Sequence, residues 1–269
     1  MGTLVDIGLA PGSPAPAAAL AAAFDAITAV QAALSRFEPT SPISRFQHLP
    51  AGASLPLPAC AQRVLRAAQA LQQASAGLFD ISLGSGPAAW RCSGGRLHKL
   101  QPGVQLDLGG IAKGHAIDAA VRALQRAGCT AAWVNAGGDL RVYGDVALPV
   151  HLRDAQHGGV RPLGQLRDGA LASSHFASAS SHFDCASSHF ASAGRQFTST
   201  SHPTAPGSRA RLHQPAAAQV PAPAVGWQVS VAAPLALWAD ALTKVVAASG
   251  NVQHPLLARL GASAWLHGG

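Results

Sequence analysis

Apolar residues recur at helical spacing over four stretches of the chain and alternate or run continuously over several shorter ones. A short strand is predicted near Gly2 to Leu9, followed by an alanine-rich helix from about Ala17 to Phe37, with Phe24, Ile27 and Leu34 on one face. Ser13 with Pro14 reads as its start. A second helix is predicted from Ala59 to Ala74, where Val64, Leu65, Ala68 and Leu71 share a face and Gly77 stands just past the end. "GLFDISLGSGPAAWR" is rich in turn residues.

Residues 104 to 144 carry the densest pattern. "VQLDL" reads as a strand, "GGIAKG" as a glycine turn and "HAIDAAVRALQRAG" as a helix stopped by Gly128. "AAWVNAGGDLRVYG" reads as two strands around a glycine break. Strand, helix and strand in this order predict a sheet domain of α/β or α+β class. From about Asp154 to Ala224 periodic patterning fades into Ser, His, Pro, Gly, Ala and Gln, which predicts inserted sequence without regular structure. Order returns with the strand "GWQVSVAAP", the helix "LALWADALTKVVAASG" ended by Gly250, and a short helix and strand in "LLARLGASAWLHGG".

Composition narrows the function classes. With 269 residues and 48% hydrophobic content the chain has material for a substantial core. The formal charge of +7 is mostly arginine, since Lys99, Lys113 and Lys244 are the only lysines. The arginines are scattered singly, without a basic run or interleaved aromatic platform, which argues against a nucleic-acid partner. Cys60, Cys92, Cys129 and Cys185 have no metal-ligand spacing and read as small buried hydrophobes. No unbroken apolar run of membrane-spanning length is evident, so no transmembrane segment is expected. The start "MGTLVDIGLA" has no basic n-region or cleavage site, so the chain as written reads as cytoplasmic.

Two motifs can carry chemistry. In "LDLGGIAKG" the glycines allow close backbone approach and the following helix start offers N–H groups, so with Lys113 the turn can hold a phosphate or pyrophosphate. The spacing matches neither G-x-G-x-x-G nor the P-loop, and a tight turn closed by an Asp107–Lys113 ion pair remains an equal alternative. "ADALTK" places Asp240, Thr243 and Lys244 on one helix face. A carboxylate and a hydroxyl together suit Mg²⁺ beside phosphates. A surface Asp–Lys pair is the plainer reading of the same spacing.

The sevenfold repeat "SSHFASA SSHFDCA SSHFASA" at 173 to 193 looks like a metal site at first. On a helix, however, His175, His182 and His189 would stand about 10 Å apart, too far to share an ion.

Taken in order, "MGT", "SRFEPTSPISRF", "GLFD", "LDLGGIAKG", "VNAGGDLRVYG" and "ADALT" resemble the ApbE-like FAD:protein FMN transferases over nearly the whole chain. The resemblance implies a single α+β domain over residues 1–269, a mixed sheet with packed helices, carrying a low-complexity insertion at about 174–222. It implies Mg²⁺-dependent transfer of the FMN half of FAD to a Ser or Thr hydroxyl of an acceptor flavoprotein subunit of a redox complex, with release of AMP. Carried over by position, Met1, Phe37, Leu78, Phe79, Asp80, Asp107 and Lys113 would contact FAD. Gly110, Asp240 and Thr243 would hold the metal, with Asp240 and His213 the catalytic candidates.

The chain departs from the family pattern at Phe37, where Tyr is usual, and at Gln47, where Asn is usual. Lys244 stands at the position of a metal-binding Thr, either displacing the ion or pointing away while Thr243 serves. "RLHQP" is an eroded form of a family loop. "DGALASSHF" falls on a family strand end, so the repeat reads as a triplication of that strand end, with its first copy in the fold. An impaired FAD-binding protein, an FAD pyrophosphatase and a dinucleotide-dependent redox enzyme are the alternatives. The family commonly works outside the cytoplasmic membrane, in contrast to the absent export signal.

Overall fold

The computed structural model describes residues 2–153, 159–175 and 228–267. Its centre is a six-stranded antiparallel sheet in the order β1-β5-β6-β7-β8-β9. The strands are β1 (Val5–Leu9), β5 (Ala132–Ala136), β6 (Asp139–Arg153), β7 (Val160–His175), β8 (Gln228–Ala233) and β9 (Ser263–His267). A second sheet, in the order β2-β4-β3, joins β2 (Ser54–Pro56), β3 (Trp90–Ser93) and β4 (Arg96–Lys99). The helices are α1 (Pro16–Leu34), α2 (Pro42–Gln47), α3 (Ala59–Ala74), α4 (Ala112–Arg126), α5 (Ala236–Ser249) and α6 (Pro255–Arg259). The architecture is α+β.

Alternation along the strands divides the apolar residues between two faces. On β5, Ala132, Val134 and Ala136 enter the main core with Ile7, Ile117, Val121 and Leu242, while Trp133 turns to a smaller cluster with Leu140, Val142, Leu148 and Leu171. Helices α4 and α5 pack on the main-core face and on each other, and α1 lies along α4.

By length and composition α1 is the one helix among the described residues apolar enough to cross a membrane. Here Leu20, Ala23, Ile27, Val30 and Leu34 are buried in the core instead. Cys60, Cys92 and Cys129 are free thiols, and Cys185 lies outside the described residues.

Helix α3 has the bounds predicted from its pattern, and α5 ends at Gly250 in the left-handed conformation that favours glycine. Helix α1 begins at Pro16, later than the Ser13–Pro14 signal; the Ser13 hydroxyl closes the preceding turn on the Ala10 carbonyl.

Two expectations are corrected. "VQLDL" is not a strand, because its backbone polar groups are taken by neighbours outside any ladder. The Gln47 side chain donates to the Leu106 carbonyl at 2.9 Å and accepts from the Leu106 amide at 3.2 Å, while the Asp107 amide donates to Ile81 O at 2.8 Å. Pattern loss from Asp154 does not end the sheet either, since β7 runs from Val160 to His175. Its first half pairs with β6 and is mostly exposed, meeting the smaller cluster only through the partly buried Leu163 and Leu166, whose spacing of three is not the alternation of a regular strand. The first repeat copy begins inside β7, with Ser173, Ser174 and His175 opposite Ser230, Val229 and Gln228. The remaining copies lie outside the described residues.

Candidate active site

The glycine turn ahead of α4 meets the start of α5, and of the expected site residues Gly110, Lys113, Asp240, Thr243 and Lys244 collect there. The crossing is close because residue 114 is glycine: a Cβ there would come within 2.1 Å of the Ala236 carbonyl oxygen. The Gly114 amide, in the first turn of α4, donates to Asp240 Oδ2 at 3.2 Å. A carboxylate from α5 thus occupies part of the positive end of α4.

Asp240 and Thr243 are fully buried. Lys244 Nζ stands among their oxygens, 2.7 Å from Asp240 Oδ1, 2.9 Å from Thr243 Oγ1 and 3.1 Å from Ser174 Oγ. Thr243 donates back to the Asp240 carbonyl at 2.7 Å, and its hydroxyl lies 2.9 Å from that of Ser174. The Asp240–Lys244 pair therefore exists, but with a buried carboxylate and a half-buried lysine rather than on the surface. Gly110 is part of this group, since its missing Cβ would lie 3.2 to 3.6 Å from the Lys244 side-chain carbons.

Lys113 lies 3.0 Å from Asp139 Oδ2, so the Asp107–Lys113 pair of the plainer sequence reading does not form. Burial pushes the Asp139 carboxyl up to about 6, opposed by Lys113 and reinforced by the negative charge of Asp240. Asp107 instead accepts from Arg36 Nη1 at 2.9 Å and from the Gly109 amide at 2.8 Å. The Arg36 guanidinium lies 4.9 Å from the centroid of the Phe37 ring. That ring is 59% exposed, the most open of the chain's large apolar side chains in the described residues.

The "GLFD" residues behave differently. Phe79 is buried in the core and Leu78 is half-buried against it. Asp80 organises a turn, accepting from Gln72 Nε2 at 2.6 Å, the Ser82 amide at 2.8 Å and the Gly84 amide at 3.1 Å. Its acceptor positions are thus occupied by the protein's own donors. Met1 and His213 lie outside the described residues.

Four residues beside the motifs were passed over by the sequence reading. Arg36 stands inside "SRFEPT", Asp139 inside "VNAGGDL", Asp118 inside "HAID" and Ser174 inside the repeat. Their only signal is their place inside a quoted segment, since what defines them is a partner distant in the chain. Asp118 accepts from the Ala236 and Leu237 amides at 3.0 Å each and from Arg141 Nη1 at 2.5 Å. It caps α5, whose own N-cap residue, Leu235, has no capping side chain.

The fold is similar to those of solved structures, among them these three. The flavin transferase ApbE from Vibrio cholerae shares 18% identity at a TM-score of 0.74, covering 99% of this chain and 90% of the other. The apbe protein from Thermotoga maritima shares 18% at 0.73, covering 98% and 91%. The apo form of the Pseudomonas stutzeri flavinyl transferase ApbE shares 21% at 0.67, covering 97% and 85%. At these identities the likeness establishes the fold. No sequence match to a curated protein was found. The ApbE family model matches residues 1–102 and 89–178, and with two thirds of its length under that model the chain belongs to the ApbE family.

Proposed function

We propose that this chain takes the FMN moiety of FAD and transfers it to a Ser or Thr hydroxyl of an acceptor flavoprotein subunit of a redox complex. In that reaction the hydroxyl oxygen forms a bond to the flavin-side phosphorus, the P–O–P bond breaks, and AMP departs with the bridging oxygen. The hydroxyl proton goes to a base; His213, the sequence candidate, lies outside the described residues, and no proton step is assigned to it.

The observation that carries the reading is the convergence of the α4 glycine turn on the Asp240 face of α5, through the 3.2 Å bond from the Gly114 amide. Around this junction each residue has a definable part. Lys113 and Lys244 place two cationic groups where a pyrophosphate would develop charge. The exposed Phe37 ring offers a stacking surface for a flavin or adenine, backed by Arg36. Asp107, held by Arg36 and Gly109, orients the turn. Phe79 packs in the core and Asp80 fixes the turn to Gly84.

The Mg²⁺ implied by the family resemblance would need oxygens from Gly110, Asp240 and Thr243. With the Lys244 ammonium bonded to the Asp240 and Thr243 oxygens, the residues present do not fit that ion as arranged, and no step is routed through it.

The test is incubation of the full chain with FAD and the acceptor subunit of a flavinylated redox complex, read as covalent flavin fluorescence in a denaturing gel. A fluorescent acceptor band supports transfer, and its absence overturns it. Lys244 favours one second reading, a chain that binds FAD without transferring it, which the same gel and a calorimetric FAD titration distinguish.

A further inference from the structure

We propose that the Lys244 ammonium replaces a divalent cation in this chain, as a charge tethered covalently within the cation's oxygen site. The inference deepens the flavin-nucleotide reading for its phosphate partner, while its metal arm stands on the protein alone.

Three oxygens of different origin converge on Lys244 Nζ: a carboxylate at 2.7 Å and two hydroxyls at 2.9 and 3.1 Å. All three distances are those of hydrogen bonds from an ammonium, whereas Mg²⁺ takes oxygens at about 2.0–2.1 Å and demands near-octahedral space. A carboxylate with a neighbouring hydroxyl is a hard-cation donor set, and here a nitrogen cation stands in it. The ammonium satisfies those oxygens as three N–H donors.

The side chain is also held in place along its length. Its Cγ, Cδ and Cε pass 3.2 to 3.6 Å from where a Gly110 Cβ would be, so glycine at 110 makes the slot the stem fills. Expelling the ammonium in favour of a metal would move that stem out of its slot. It would also trade away the partner of a buried carboxylate.

Electrostatics gives the substitution a consequence. Asp139, Lys113, Asp240 and Lys244 carry two formal charges of each sign, so the group is neutral as it stands with Asp139 ionised. A threonine and a bound divalent ion in place of the lysine would leave it one charge more positive. The chain therefore holds an anionic nucleotide without metal, but less tightly than a metal-loaded threonine variant would.

The experiment uses the full chain, Lys244→Thr and Lys244→Met, each checked for native circular dichroism. Mn²⁺ binding without nucleotide is followed by electron paramagnetic resonance of the free ion, and FAD binding by calorimetry in EDTA and in millimolar Mg²⁺. In the metal arm, the original chain takes up no Mn²⁺ at this site, Lys244→Thr gains one Mn²⁺, and Lys244→Met gains none. In the nucleotide arm, the original chain binds FAD equally with EDTA or Mg²⁺, within about twofold. Lys244→Thr weakens about tenfold in EDTA and in Mg²⁺ binds more tightly than the original chain, and Lys244→Met weakens in both.

Uptake of Mn²⁺ by the original chain as tight as by Lys244→Thr overturns the proposal. So does a folded Lys244→Thr that gains no Mn²⁺. If Lys244→Thr does not fold, Mn²⁺ uptake by the original chain with none by Lys244→Met overturns it too. If FAD binds to no form in any condition, the flavin reading fails, while the Mn²⁺ arm still decides the lysine.

Discussion

The Asp118 carboxylate of α4 accepts a hydrogen bond of 3.0 Å from the Leu237 amide at the start of α5, and a second of 3.0 Å from Ala236. The cap is supplied from another helix, so it locks the α4–α5 crossing as well as ending α5. Replacing Asp118 by Ala leaves two buried amides unpaired and Arg141 without its carboxylate. A loss of about 3 kcal/mol in unfolding free energy is expected, read by urea titration. Asp118→Asn, which keeps an acceptor, should lose roughly half of that. Equal stability of Asp118→Ala and the original chain would count against the capping role.

Two glycines at the same junction should respond differently to alanine. At Gly114 the added Cβ meets backbone, at 2.1 Å from Ala236 O, and the helices must separate. At Gly110 it meets the Lys244 side chain at 3.2 Å, which is able to give way. Gly114→Ala is expected to cost about 3 kcal/mol or more in denaturation, and Gly110→Ala about 1 kcal/mol or less. Similar losses at both positions would contradict the close helix contact.

Phe37 is open to solvent, so its removal should leave stability unchanged and touch ligand binding alone. Stacking of an aromatic pair contributes about 0.5–1.5 kcal/mol, so Phe37→Ala should weaken FAD binding roughly two- to tenfold, with Phe37→Tyr near the original value. Calorimetry checks the affinity and thermal melting checks the fold. Unchanged affinity in Phe37→Ala would remove the ring from the nucleotide site.

His115 is buried in α4, with the charges of Arg122 and Arg63 nearby, and burial followed by these arginines lowers its pKa to about 4. The unfolded chain protonates this histidine near 6.5, so it binds more protons than the folded chain between about pH 6.5 and pH 4. Stability is therefore full above pH 6.5 and falls as the pH is lowered through that window, by at most about 3 kcal/mol. His267, also lowered to about 4, adds loss in the same range, whereas Asp139, raised to about 6, acts in the opposite direction. The difference between the original chain and His115→Phe isolates the first contribution. Parallel stability–pH curves for the two would show that His115 takes up its proton as readily in the folded chain as in the unfolded one.

Much of this architecture can be read from local pattern. Helix α3 has its predicted bounds because Val64, Leu65, Ala68 and Leu71 form one apolar face, and α5 stops at Gly250 because glycine takes a left-handed turn without a Cβ. The glycine turn before α4 and the Asp240 face of α5 were visible for the same reason: each is a short-range spacing. "VQLDL" misled because its alternation suits a ladder, while its amides and carbonyls bond to Gln47 and Ile81, far away in the chain. The first half of β7 carries no alternating signal because only Leu163 and Leu166, three residues apart, turn toward an apolar cluster.

At the site the division follows contact range. Residue types and local spacing presented Asp107, Gly110, Lys113, Asp240, Thr243 and Lys244 as candidates. Which charge meets which was settled by the approach of the segment after α1 to the glycine turn, of α4 to β6 and of α5 to β7, because ion pairs form between groups that folding brings within a few ångströms. Asp107 pairs with Arg36, Lys113 with Asp139, and the Lys244 ammonium comes to stand among three oxygens, one of them from Ser174 on a strand 70 residues away.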